Sequence, residues 1–178
     1  MTAEPTQLLG LLWGVKNSFR VYVARSPGSR IAVGHGAGVS ASDEFFFAPA
    51  AEQGNAVPCA QGKGTLRFTG SVYFVAHHGF LSVPIVDPWV EFDGADAVLS
   101  IAGTGSHSHD ARVRIARLRP GPAVWDAGAW YWPELPARLH EDAVEVFGGS
   151  YPVGAPLDPV RIRVSGSTQA LAIDDNRQ

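Results

Sequence analysis

Apolar side chains near the start of the chain fall at Leu8, Leu11, Leu12, Val15, Phe19, Tyr22 and Val23. Steps of three and four residues predict a helix from Thr6 to about Arg25, with Thr2 or Thr6 able to cap its start. Gly10 and Gly14 each weaken such a helix by about 1 kcal/mol relative to alanine. They also let another backbone or a flat ligand come close. The β-branched and aromatic run from Phe19 to Val23 allows a change from helix to strand near that point.

After Ser26-Pro27-Gly28 the period shortens, and Gly, Pro, Asn and Asp punctuate brief apolar runs. Strands are expected at Arg30–Val33, Phe45–Phe47, Gly64–Phe68, Ser71–His77, Phe80–Val86, Trp89–Phe92, Ala97–Ile101, Ala111–Arg119 and Pro159–Val164. From Arg112 onward basic and apolar residues alternate, as on a strand with one wet face. Leu139–Phe147 reads as a short helix or as an edge strand. The fold class is therefore mainly β, an antiparallel sandwich or barrel-like domain with a short N-terminal α-helix and room for one more. No internal repeat or linker divides residues 1–178. The core spans about 8–164, and the polar tail from Ser165 onward is expected to fray.

At 178 residues the chain is long enough to bury a core without disulfides or a structural metal. Hydrophobic residues make up 46% and charged residues 17%, the balance of a folded domain. A net charge of −3 speaks against a nucleic-acid partner. Cys59 has no partner for an intrachain disulfide and reads as a small hydrophobe. No apolar stretch is long enough to span a bilayer, and the N-terminus lacks the pattern of a signal peptide. If Met1 is the natural start, a cytoplasmic location is expected.

Two stretches carry the chemistry. Leu12-Trp13-Gly14-Val15-Lys16-Asn17-Ser18-Phe19-Arg20-Val21-Tyr22-Val23 sets Ser18 and Tyr22 one helical turn apart on one face. Ser71-Val72-Tyr73-Phe74-Val75-Ala76-His77-His78-Gly79 reads as a strand ending in a histidine pair. On that strand His77 would share a face with Val75 and Tyr73.

These residues, with Phe68-Thr69-Gly70, Phe80-Leu81, Val86-Asp87-Pro88, the Phe147 to Tyr151 region and Gly154-Ala155-Pro156-Leu157-Asp158-Pro159, occur in an order that resembles the HtaA domain. That family comprises actinobacterial haem-binding modules of haem uptake. The likeness runs from about Leu8 to Val164. It implies a β-rich fold that binds one haem, a ferric haem b, through a tyrosine axial ligand. By that match Tyr22 is the iron ligand, Ser18 the serine one turn earlier, and His77 the neighbouring histidine, with His78 the alternative. It also implies haem uptake, relay or storage, with another haem-carrier protein as a further partner. Family members are usually secreted or anchored at the cell surface.

A phenolate is a hard anionic donor that favours ferric over ferrous iron. A free phenol gives up its proton only well above neutral pH, so a hydrogen bond from His77 would support coordination. The Ser18 hydroxyl suits a haem propionate, and Lys16, Arg20 and Arg25 are basic candidates for its charge. Phe19, Phe46, Phe74 and Trp89 are candidates to cover the macrocycle.

Other readings stay open. A haem-dependent enzyme would need an acid/base group opposite Tyr22, with His35 and His78 the candidates. A haem-free β-sandwich binding module would use exposed Trp125, Trp130 and Trp132. His107 and His109 fall on one side of an extended segment but read as a solvated loop. Asp87-Pro88 and Asp158-Pro159 read as turn formers, and no nucleophile elbow, P-loop or dinucleotide fingerprint is present.

Overall fold

A computed structural model describes residues 8–51, 62–104 and 111–166. In chain order these form β1 (Gly10–Trp13), α1 (Asn17–Arg25), β2 (Arg30–Gly34), β3 (Ala37–Val39), β4 (Phe45–Pro49), β5 (Lys63–Thr69) and β6 (Ser71–Ala76). There follow β7 (Leu81–Val86), β8 (Trp89–Asp93), β9 (Asp96–Ala102), β10 (Arg112–Leu118), β11 (Val124–Asp126), β12 (Ala129–Leu139) and β13 (Pro156–Ser165). Cys59, His107, His109 and most of the polar tail lie outside the described residues.

The order β1-β13-β12-β10-β9-β8-β5-β4 returns on itself, because β4 also pairs with β1. The result is a closed, antiparallel eight-stranded barrel, which leaves no open edge along that ring. β3 extends from β4, and β11 folds back on β12. A separate sheet, β2-β6-β7, packs beside the barrel with α1. The expected β-rich domain is the observed one.

Register explains the barrel core. Trp13 lies opposite Phe45 and Val160, and Val160 opposite Leu135. One layer along, Leu11 meets Phe47 and Ile162, and Ile162 meets Trp132. All of these side chains are buried, as alternation on a closed sheet requires. A second core lies between α1 and the small sheet, where Phe19, Val23, Phe74, Val83 and Ile85 are buried. Phe45 and Phe74 meet edge to face at 5.2 Å and join the two cores.

The expected N-terminal helix is corrected. Thr2 and Thr6 lie outside the described residues; among those described in the expected span, Gly10–Trp13 is strand β1 and only Asn17–Arg25 is helical. Leu11 and Trp13 alternate inward, a period hidden within an unbroken apolar run. The glycines serve close approach, as the sequence suggested. A side chain at Gly10 would collide with the Phe46 ring and the Phe47 carbonyl, and one at Gly14 would meet Asp158 Oδ2 at 2.5 Å.

All nine expected strands form, within a few residues of the expected bounds. The clean alternation in β10 breaks where a register shift between Arg114 and Ala116 buries both Ile115 and Ala116. Of the two readings of Leu139–Phe147 the short helix is the one that forms: Leu139 ends β12, and a 3-10 helix at Glu141–Ala143 follows. β3, β11 and β12 were not expected. Asp158 proves to be part of β13 rather than of a turn.

Candidate functional site

The segment that carries Ser18 and Tyr22 turns from strand to helix at Val15, whose φ of 65° is unusual for a β-branched residue. Lys16 occupies the N-cap position without a side-chain cap bond. The cap comes instead from β13. Asp158 Oδ1 accepts from Asn17 N at 3.1 Å, its backbone N–H donates to Val15 O at 2.9 Å, and Trp13 Nε1 donates to its carbonyl at 2.9 Å. The helix is short and its middle is β-branched and aromatic, so packing of Phe19 and Val23 holds it more than propensity does. Burying these two contributes about 1.5–3 kcal/mol each. At its end Ser26 Oγ donates to Tyr22 O at 2.7 Å, and Pro27 stops the helix.

Tyr22 lies on the helix face beside this buried pair and is 47% exposed. Opposite it is the tip of the β6–β7 hairpin, residues His77 to Phe80. His77, His78 and Gly79 take φ of 51°, 56° and 97° in succession. Two non-glycine residues in the left-handed region cost of order 1–3 kcal/mol each, strain that concentrates at functional sites. His77 therefore leaves the strand rather than continuing the Tyr73–Val75 face, which corrects the expected geometry. Its Nε2 instead lies 2.5 Å from Tyr22 Oη. Either atom is able to hold the shared proton.

A cleft of about 390 Å³ opens at this pair, lined by Phe19, Tyr22, Phe80, Leu81, Phe147, Gly148, Ser150 and Tyr151. Phe19 forms its floor, in edge-to-face contact with Phe74 at 5.2 Å and Phe147 at 5.1 Å. Phe80 stands at the rim and is 95% exposed. The cleft thus combines an apolar wall with the accessible phenol oxygen of Tyr22, which is backed by the His77 imidazole.

The remaining expected residues divide. Ser18 is exposed one turn before Tyr22 but is not part of the lining. His78 packs over Gly28, and its backbone N–H donates to Pro27 O. His35 bonds Ser71 Oγ through Nδ1 at 3.1 Å, at the opposite end of β6 from His77. Phe74 lies beneath the floor, whereas Phe46 covers Gly10 and the Trp89 ring is engaged by the guanidiniums of Arg67 and Arg112 at 4.4 and 3.9 Å. Trp130 and Trp132 are buried in the barrel, so only Trp125 of the three tryptophans is exposed. Phe80, Phe147 and Tyr151 also line the cleft, a role the sequence pattern does not assign although Phe80-Leu81 and the Phe147 to Tyr151 region belong to the ordered motifs.

Among the described residues, His140, Glu141 and Asp142 bring ligand atoms within 4.8 Å of one another. His140 Nδ1, however, accepts from Asp142 N at 3.1 Å and thereby caps the turn. No described helix is long and apolar enough to cross a membrane.

The family model for HtaA, described as Htaa, matches residues 9–163. The chain belongs to the HtaA family. Its fold is similar to that of the N-terminal domain of HtaA from Corynebacterium glutamicum, with a TM-score of 0.72 and 24% identity over 89% of this chain and 97% of that one. The C-terminal domain of the same HtaA gives a TM-score of 0.68 and 22% identity, covering 88% and 94%. The haem-binding protein HtaB from that organism gives 0.62 and 16%, covering 87% and 91%. Among curated proteins none matches the chain. These likenesses extend the HtaA fold to this chain, and the site rests on its own residues.

Proposed function

We propose that the Tyr22 cleft binds haem, with Tyr22 Oη as the axial ligand of ferric iron and His77 Nε2 hydrogen-bonded to that oxygen. The observation that carries this reading is the 2.5 Å Tyr22–His77 contact at the mouth of an aromatic cleft. The donor set fits the ligand: an exposed phenol supplies a hard anionic oxygen, and apolar rings suit a porphyrin face. Membership of a family that includes haem-binding relatives supports the same ligand.

When bound, such a group holds iron in its oxidised state, which suits carriage, relay or storage better than oxygen transport. The protein's part is to keep the phenol oriented, to let His77 donate to it once its proton has left, and to shield one face with Phe19 and Phe147. His78, turned against Gly28, has no part in this arrangement. Hemin added to the purified protein should give a tyrosinate-type ferric spectrum at one equivalent. Tyr22→Ala should abolish it and His77→Ala should weaken binding less. An unchanged spectrum in the Tyr22 variant would remove this ligand from consideration.

A further inference from the structure

Three basic residues sit on or beside α1, and the structure separates them. The Arg20 guanidinium is engaged: NH2 lies 3.4 Å from Asp158 Oδ2, and NH1 donates to Asp43 O at 2.6 Å. Arg25 stands in the last turn, at the far end of the helix. Lys16 precedes the first turn, and its Nζ lies 5.3 Å from the centre of the Tyr151 ring. Tyr151 lines the cleft, so this ammonium sits at the cleft's edge.

Lys16 at the N-cap, Phe19 and Tyr22 are spaced three residues apart, with Phe19 and Tyr22 neighbours on the helix surface. Six residues of helix rise roughly 9 Å, comparable with the reach from the centre of a porphyrin to its peripheral carboxylates. One ammonium hydrogen is used, since Nζ donates to Pro156 O at 2.8 Å. An ammonium has three donors, so two remain for an anion. The nearest helix-capping carboxylate, Asp158, is already offset by Arg20.

We infer that Lys16, steadied by Tyr151, is a carboxylate-recognising subsite that orients the porphyrin with its propionates toward the N-terminal end of α1. The inference rests on the haem-binding reading above and adds a direction to it. The subsite selects dicarboxylate porphyrins over esterified ones. A charge-assisted hydrogen bond at a partly exposed site corresponds to about a tenfold preference.

The test compares hemin with hemin dimethyl ester, titrated by absorbance in one detergent-containing buffer. The intact protein should bind the free acid about tenfold more tightly, and salt should weaken hemin binding but not ester binding. Lys16→Met should bring the two affinities together while keeping the wild-type ferric spectrum. Lys16→Arg should retain the preference, and Arg25→Met should leave it unchanged. Equal salt dependence for the two porphyrins, or a full preference surviving in Lys16→Met, would overturn the assignment. So would loss of the preference in Arg25→Met. Failure of the haem-binding reading would look different: neither porphyrin would give a tyrosinate-type spectrum in any of these proteins.

Discussion

The carboxylate of Asp158 on β13 and the guanidinium of Arg20 on α1 lie 3.4 Å apart, and the same carboxylate caps the helix at Asn17. A barrel strand thus fixes the start of the helix that presents Tyr22. Asp158→Ala removes a cap and leaves Arg20, whose Nε is buried without a partner, without its carboxylate. The expected loss is about 2 kcal/mol of unfolding free energy. Urea denaturation measures it, and hemin affinity should fall in parallel because the helix end loosens. An unchanged midpoint would mean that α1 is held by its apolar face alone.

The strained hairpin tip separates its two histidines. His78→Gly relieves a left-handed non-glycine residue and keeps the Tyr22–His77 contact, so stability should hold or rise by up to about 1 kcal/mol. Its hemin spectrum should match the parent protein. His77→Gly relieves similar strain but deletes the imidazole, so hemin binding should weaken while the fold survives. Thermal unfolding and hemin titration of both variants check this. Identical hemin behaviour in the two variants would contradict the distinct roles of these neighbours.

How much of this was legible from the sequence follows from the range of the interactions involved. Strands such as Trp89–Asp93 announce themselves through local alternation and flanking turns. β12 does not, because Pro133 and Pro136 speak against a strand interior. The structure accommodates them with register shifts between Trp132 and Leu135 and between Leu135 and Ala137. Residues Gly10–Trp13 look helical because their neighbours on both sides are apolar, and only closure of the barrel onto β4 decides for strand. At the site, Tyr22 and His77 stood out through residue type and ordered motif. The cleft role of Phe80, Phe147 and Tyr151 depends on long-range packing that no local pattern encodes. The His77 geometry is not legible in the sequence, because nothing nearby announces two successive left-handed histidines.

Phe74 tests whether the second core can be weakened apart from the cleft. Its ring is fully buried between Phe19 and Phe45 and lies outside the lining. Phe74→Ala should cost about 3–5 kcal/mol. The fraction that remains folded should still give the parent hemin spectrum, because Tyr22 and His77 are untouched. Denaturation curves and absorbance on the same sample read both effects, and loss of the spectrum at full folding would show that Phe74 belongs to the site.

His140 predicts how the fold responds to acid. It is 2% exposed, and burial is the main cause that holds its imidazole below the ordinary value of 6.5, with Asp142 opposing that shift. The folded protein therefore keeps His140 neutral where the unfolded chain already takes up a proton. More protons bound by the unfolded state means that stability rises with pH in that window. The contribution is complete above pH 6.5 and declines as pH falls below it toward the lower folded-state value. Nδ1 must also stay unprotonated to accept from Asp142 N, so protonation there removes the turn cap as well. His140→Asn keeps an acceptor for that cap but does not titrate, and it should flatten the decline between neutral pH and pH 5. Unfolding free energies measured across that range for both proteins decide the matter, and parallel curves would assign the acid sensitivity to other groups.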